Sequence, residues 1–162
     1  MLLYHGTPMN FDIPSLEKCK PHRDFGRGFY LAPNYYDALP MSIKNSYFGI
    51  VQTYELLDIN GLNVLVLDGY SDEWLHFVVS SRLGTTSEFD IVIGNMAAGG
   101  ANLKVKFSKF RANNIAIDEV SMLMKKQLTS TKLGVQYAFL TPAALSKLRL
   151  INVETIERED AI

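Results

Sequence analysis

Two short segments near the start of the chain combine residue types that can hold a small polar ligand. The first is His5-Gly6-Thr7, which follows a short apolar run, and the second is 24–31, in which Gly26-Arg27-Gly28 leads into an aromatic pair ending at Tyr30. Glycines let a backbone approach its neighbours closely because they lack a Cβ atom. A histidine, a closely approaching backbone and an aromatic ring could together hold a flat, polar ligand that carries a ribose.

The composition is that of an ordinary globular domain. The chain has 162 residues, of which 48% are hydrophobic and 20% charged, so it can bury a sizeable core without disulfides or a structural metal. The net charge of −1 argues against a polyanionic partner held by overall charge alone, although a local basic patch would suffice. We therefore expect a single domain over 1–162.

The cysteine count and the N-terminus bear on location. Cys19 is the only cysteine, so an intrachain disulfide is excluded and a reducing compartment fits. Neither a signal-peptide pattern nor an apolar run of roughly 20 residues is present. We expect a cytoplasmic protein without membrane association, although an exported effector that uses other signals would look the same.

Hydrophobic periodicity and turn residues predict alternating short elements. Apolar and β-branched runs predict strands at 1–4, 29–32, 48–56, 62–67, 89–94, 134–140 and 151–156. Capping residues and helical spacing predict helices at about 37–44, 72–82, 117–128 and 142–148. Segment 95–102 is predicted to be a flexible loop. The order of elements lacks βαβ regularity, so we expect an α+β fold whose sheet is mostly antiparallel or split.

Several common sites are not favoured by the sequence. The three histidines, His5, His22 and His76, share no metal-ligand spacing, so no metal is expected. A Gly-x-Ser-x-Gly nucleophile elbow is absent. Gly26-x-Gly28 lacks a third glycine and opens a strand, which excludes a Rossmann fingerprint.

Taken in chain order, the motifs resemble the DUF3990 family of bacterial domains. That family is assigned to the ADP-ribosyltransferase superfamily, in the histidine–tyrosine branch that includes diphtheria toxin and the PARP enzymes. The resemblance is carried by Leu3-Tyr4-His5-Gly6, the segments 24–31 and 74–78, Arg82, and the segments 90–94 and 136–141. Because these motifs span nearly the whole chain in order, they are more specific together than either short motif alone.

The resemblance implies a fold, a co-substrate and roles for individual residues. The implied fold has ADP-ribosyltransferase-like split antiparallel β-sheets with flanking short helices, and the implied co-substrate is NAD, without a metal. The Gly6 backbone would hold the nicotinamide carboxamide, His5 would contact a ribose and Tyr30 would stack on the nicotinamide ring, with Tyr36 or Tyr35 on its second face. The candidate NAD-binding residues are His5, Gly6, Thr7, Arg27, Gly28, Tyr30 and Tyr36, and the candidate catalytic residues are Gln136, Tyr30 and His5.

The chain departs from the superfamily at Gln136, where many active transferases have glutamate. An amide can hydrogen-bond a ribose hydroxyl but cannot act as a general base. Candidates for a replacement carboxylate are Asp24, Asp90, Asp118 and Glu119, and candidates for contacts to the NAD phosphates are Arg23, Arg27 and Arg82. Each residue also has a plain structural role open to it, such as a strand-end histidine or a core tyrosine.

The resemblance implies a mono-ADP-ribosyltransferase acting on a macromolecular acceptor, either protein or nucleic acid. The implied biological role is the toxin of a toxin–antitoxin pair, with a small antitoxin protein as partner, or an effector. Gln136 keeps alternatives open: a catalytically silent NAD- or nucleotide-binding module, an NAD glycohydrolase, or an interaction protein that has lost the pocket.

Overall fold

Seven strands form two sheets in the structure, a computed structural model that describes residues 1–161 and the side chains of residues 1–159. The three-stranded sheet consists of β1 (Leu2–Thr7), β3 (Phe48–Leu56) and β7 (Leu148–Glu157), in that order and antiparallel. The four-stranded sheet has the order β2 (Phe29–Leu31), β6 (Val135–Phe139), β5 (Ile91–Asn95), β4 (Val64–Val66). Only β4 and β5 pair in parallel in this sheet.

The two sheets meet where β1 passes β2. Tyr4 and Ala32 exchange both backbone hydrogen bonds, at 2.8 Å each, and this is the single bridge between the two strands among the described residues. Apolar side chains fill the space between the sheets, with Leu3, Phe29 and Phe139 at or below 4% exposure. The sheets are therefore joined by one backbone bridge and a shared core.

Five α-helices flank the sheets, namely α1 (Tyr35–Ser42), α2 (Asp72–Arg82), α3 (Ala101–Ala112), α4 (Ile117–Leu128) and α5 (Pro142–Leu145). Helices α2, α3 and α4 cover the outer face of the four-stranded sheet, where Trp74 and Phe107 are buried. The indole nitrogen of Trp74 donates to the Asn95 carbonyl at 2.8 Å, which ties α2 to the end of β5. None of the helices in residues 1–161 is both long and apolar enough to cross a bilayer.

Helix α1 lies directly on the three-stranded sheet because two glycines leave it room. A Cβ atom at Gly6 would fall on the Ala38 carbonyl oxygen, and one at Gly49 would fall on the Ser42 carbonyl oxygen, both far inside van der Waals contact. Both neighbours are backbone atoms of α1, which cannot rotate away. The two glycines thus set how closely α1 approaches β1 and β3.

The structure confirms the predicted α+β class and the division of the strands into two sheets. Each predicted strand is present, and the caps at Asn34, Ser71 and Thr141 accept the expected backbone hydrogen bonds. The helices predicted at 37–44, 72–82 and 117–128 are also present, within two residues at their ends.

Two boundary predictions were wrong, and one helix was not predicted. Strand β1 continues through Thr7 rather than ending at Tyr4, because His5 to Thr7 pair with β3. The helix predicted at 142–148 is one short turn, since Leu148 already pairs with Leu56 as the start of β7. Helix α3 was not predicted, because lysines interrupt the apolar pattern of its sequence. It buries only two residues, Leu103 and Phe107.

Replacing Gly49 with alanine is expected to destabilise the fold, because the new methyl group would displace the backbone of α1. Overpacking of this kind typically costs about 1–3 kcal/mol. Chemical denaturation followed by circular dichroism would measure the loss. Gly99→Ala is the matched control, since nothing lies within 4 Å of its Cβ position. Equal free energies of unfolding for the two variants would contradict the packing role of Gly49.

Candidate functional site

A gap opens between β1 and β2 beyond the Tyr4–Ala32 bridge, and we call it the β1–β2 wedge. On one side lie His5 and Gly6, and on the other lies Tyr30. A hydrogen bond of 2.7 Å joins His5 Nδ1 to the Tyr30 carbonyl oxygen across the gap. This bond sets the spacing of the two strands where backbone pairing has stopped.

The backbone of Gly6 faces the wedge. Tyr4 directs its N–H and C=O toward β2, and backbone groups two residues apart on a strand point the same way, so those of Gly6 also point toward β2. Neither group of Gly6 has a backbone partner on that side among residues 1–161. The wedge thus offers one donor and one acceptor, side by side, on a fixed strand.

His5 is held in one tautomer and without charge. Because a carbonyl oxygen can only accept, Nδ1 carries the proton and Nε2 is left as an acceptor. Burial lowers the pKa of His5 to about 4, the bond to Tyr30 opposes this and the Arg23 charge adds to it. At neutral pH His5 is therefore an uncharged acceptor.

The Nε2 atom of His5 is not fully buried, although the ring itself is largely enclosed. Every buried side-chain nitrogen or oxygen in the described part of the chain has a hydrogen-bond partner, and Nε2 has none, so it is not buried. The ring packs against Phe29 at a centroid distance of 4.2 Å, which fixes its orientation. A hydroxyl donor entering from solvent could reach this nitrogen.

Tyr30 stabilises the glycine turn, residues 23–28, through its hydroxyl. The hydroxyl donates to the Gly26 carbonyl at 2.6 Å and accepts from the Phe25 N–H at 2.9 Å. Burial, followed by the charge of Asp24, raises the pKa of Tyr30, so the phenol stays protonated. The half-buried ring lies 5.9 Å from the Arg23 guanidinium and stacks on Phe25.

The glycine turn needs both of its glycines. Gly26 has φ of +98°, in the left-handed region that favours glycine. A Cβ at Gly28 would lie 2.9 Å from the Phe139 carbonyl oxygen. Arg27 extends from the turn and donates to the Cys19 carbonyl at 2.6 Å, so it orders the preceding loop while remaining exposed.

Asp24 is the centre of a half-buried polar network that connects the turn to three other elements. Its Oδ1 accepts from Arg82 at 2.6 and 3.1 Å, which attaches the turn to the end of α2. Its Oδ2 accepts from the Ala97 N–H and from Gln136 Nε2, each at 2.9 Å. Arg82 also donates to the Ala98 carbonyl at 2.8 Å. Four charge-assisted hydrogen bonds thus converge on one carboxylate.

The Asp24 carboxylate next to Gln136 favours an amide over a carboxylate at this position. A carboxylate only accepts, so the atom facing Asp24 must be the amide nitrogen, and Oε1 is left without a protein partner among the described residues. A glutamate at this position would bring two carboxylates to hydrogen-bonding distance. Gln136 is therefore matched to Asp24, and its Oε1 can accept a further hydrogen bond.

The structure brings together only part of the sequence-predicted site. His5, Gly6, Gly28 and Tyr30 meet at the wedge and the glycine turn. Tyr36 is 74% exposed on α1, and its ring packs edge-on against Tyr35, which packs in the same way against Tyr4. Thr7 bonds to the Met9 backbone just past the strand end.

The carboxylates and arginines considered as site residues lie in different parts of the fold. Asp24 does lie next to Gln136, whereas Asp90 bonds Thr141 and the Asn63 N–H, and Asp118 lies near His76. Arg82 is committed to Asp24 instead of being free for a phosphate. The Asp24–Arg82–Gln136 network was not predicted from the sequence. Arg82 and Gln136 lie 58 and 112 positions after Asp24, and no local sequence pattern connects residues so far apart.

Acidification is expected to destabilise the protein through His5. Unfolded His5 binds a proton near pH 6.5 and folded His5 near pH 4, so the unfolded state binds more protons in this window and stability falls as the pH drops. The contribution between pH 7 and pH 5 is about 2 kcal/mol. Denaturation of the wild type and His5→Gln at both pH values would measure it. The exposed His76→Gln should keep the wild-type dependence, and an unchanged dependence in His5→Gln would contradict the assignment.

Asp24→Asn is expected to cost about 3 kcal/mol of stability, because it leaves Arg82 partly buried without its counter-charge. Thermal and chemical denaturation would measure the loss. Glu55→Gln is the control: its ion pair with Arg149 is exposed and should contribute less than about 1 kcal/mol. Equal losses of unfolding free energy in the two variants would contradict a larger contribution from the Asp24 network than from an exposed ion pair.

Comparison with known proteins gives one assignment. No curated protein and no solved structure matches the chain at a significant level. The model of a family described as "Protein of unknown function (DUF3990)" matches residues 1–150, which include the wedge, the glycine turn and all members of the Asp24 network. With most of its length covered by that match, the chain belongs to the DUF3990 family.

Proposed function

We propose that this protein is an NAD-dependent mono-ADP-ribosyltransferase with an ADP-ribosyltransferase-like fold. The observation that carries the proposal is the pair of unpartnered backbone groups of Gly6, facing Tyr30 across a gap that His5 spans. A primary carboxamide such as that of nicotinamide has one donor end and one acceptor end. A strand backbone that offers both groups on the same residue is complementary to it.

The remaining residues of the wedge suit the rest of NAD. The uncharged Nε2 of His5 would accept from a ribose hydroxyl, and Gln136 Oε1 would accept from another. Arg23, exposed beside the Tyr30 ring, supplies a positive charge for the pyrophosphate. Arg27 is less suited to that task, because its guanidinium already binds the Cys19 carbonyl.

NAD, when bound, would supply the ADP-ribosyl group and nicotinamide as its leaving group. The bond from ribose C1′ to nicotinamide breaks, nicotinamide leaves as a neutral molecule with the bonding pair, and an acceptor nucleophile forms the new bond to C1′ and loses its proton. Fixed acceptors such as His5 Nε2 and Gln136 Oε1 would stabilise the positive charge that develops on the ribose. The Gln136 amide cannot remove the proton, so solvent would take it.

A second candidate is an NAD glycohydrolase or a silent NAD-binding module. It is favoured by the bonds that already occupy the Tyr30 hydroxyl and the Gln136 amide nitrogen. In the glycohydrolase, water would replace the macromolecule as nucleophile at C1′. The transferase is preferred because the wedge adjoins a basic surface described below. Its biological setting would be the cytoplasm, as a toxin neutralised by a small antitoxin protein, or as an effector.

Incubation of the purified protein with NAD labelled in its adenylate, in a cell lysate, tests the proposal. We expect nicotinamide release with label on a macromolecule, and at least about a hundredfold loss in Tyr30→Ala or His5→Ala. Tyr47→Ala, at an exposed tyrosine whose ring packs on Phe48, should retain activity.

Three other outcomes separate the alternatives. Nicotinamide release without labelled product would identify a glycohydrolase, and calorimetric binding of NAD without turnover would identify a silent module. Absence of both binding and turnover would refute the proposal. Gln136→Glu should lower stability rather than raise activity, because the new carboxylate would face Asp24.

A further inference from the structure

Charge is strongly segregated along the chain, although the net charge is only −1. Segments 18–27 and 101–132 together contain eleven of the sixteen basic residues but three of the seventeen acidic ones. One of those three, Asp24, is neutralised by Arg82. The other two, Asp118 and Glu119, are exposed in the first turn of α4. The rest of the chain is correspondingly acidic, and the basic residues of the two segments form one face only if the fold brings them together.

The fold brings the two segments together at the end of α2. Asp24 binds Arg82, and Arg111 of α3 donates to the Arg82 carbonyl at 2.5 Å. A Cβ at Gly84 would lie 3.4 Å from the His22 ring, which places His22 beside the same helix end. Burial and then the charges of Arg111 and Arg27 lower the pKa of His22, consistent with a local positive potential.

The basic face is continuous from the glycine turn to α3. Lys104 lies seven residues, or two helical turns, before Arg111, and therefore on the same flank of α3. The face includes the side chains of Lys18, Lys20, Arg23, Arg27, Lys104 and Arg111. All of them are exposed except Arg111, which is half-buried, and none pairs with a carboxylate within the described residues. Arg23 connects this basic face to the wedge through its contact with the Tyr30 ring.

A small cleft adjoins the basic face at Arg111. It measures about 240 Å³, below the usual range for drug-sized ligands, and is lined by Leu83, Phe110, Arg111, Asn114, Ile115 and Ile117. Apolar walls, one aromatic ring and an amide suit a flat heterocycle with polar edges. Cationic surfaces with adjacent aromatic side chains are how proteins bind single-stranded nucleic acids.

We propose that the basic face and its adjoining cleft bind single-stranded nucleic acid, with phosphates on the basic side chains and a base in the cleft. An acidic protein segment would use the charges but would leave the cleft empty. The further role of this face, to present the nucleic acid as the ADP-ribose acceptor, rests on the proposed function. The binding itself does not depend on that function.

Fluorescence anisotropy with labelled single-stranded DNA and RNA of about 20 nucleotides, without NAD, tests the binding. At about 50 mM salt we expect Lys20→Glu/Lys104→Glu to weaken binding at least about tenfold and to flatten the salt dependence. Lys44→Glu, an exposed charge reversal outside the basic face, should bind within about twofold of the wild type. Asn114→Gly removes the cleft amide while tolerating the left-handed φ of 52° at this position, and should weaken binding without changing the salt slope.

The outcomes distinguish this proposal from its alternatives. Equal binding by the wild type and the Lys20→Glu/Lys104→Glu variant would overturn it, as would displacement of the oligonucleotide by poly-glutamate at equal charge concentration. Tighter binding of duplex than of single strands would reject the role of the cleft. Oligonucleotide binding without transfer of label, when NAD is added in a parallel assay, would leave the binding inference standing and would contradict only the role of the nucleic acid as ADP-ribose acceptor.

Discussion

The Asp24 carboxylate is the interaction on which the arrangement of the site depends. It lies at the start of the glycine turn and is bonded at once to α2, to the loop after β5 and to β6. Those elements are far apart in sequence and share no strand pairing with the turn. The position of the turn therefore depends on electrostatics and hydrogen bonding, whereas Tyr30, just after it, is held in β2 by pairing with Ala138 of β6.

The geometry of the wedge depends on the cost of unpaired backbone groups and on the hydrogen bond that His5 makes across the gap. Two strands that pair at one bridge and then diverge leave backbone groups without partners, an arrangement that costs free energy unless water or a ligand satisfies them. His5 limits the divergence by donating from Nδ1 to the Tyr30 carbonyl, and burial keeps its ring uncharged at neutral pH, which leaves Nε2 without a proton. The same ring contributes an acceptor to the open side. One side chain thus fixes the spacing of two strands and leaves an unpaired acceptor beside them.

Local patterns predicted most of the elements, and long-range contacts account for what they missed. Strand β3 and helix α2 follow from alternation and from a serine cap, both of which lie within a few residues. The hydrogen bonding of the Gln136 amide could not be predicted in this way, because it depends on the Asp24 carboxylate, which lies in another part of the fold. The resemblance placed Tyr36 or Tyr35 on the second face of the nicotinamide ring, and the structure adds that Tyr36 is exposed on α1. Residue type and spacing identified the wedge, and tertiary contacts decided which neighbours join it.

Gly6 has a consequence beyond the close packing of α1. Its backbone presses on Ala38 on one face of the sheet while its N–H and C=O point along the sheet into the wedge. Helix α1 therefore supports the candidate site from behind, and its backbone at Ala38 and Ser42 limits where the Gly6 amide can lie. The shape of the candidate site is thus determined by a strand that faces it and by the backbone of a helix that does not.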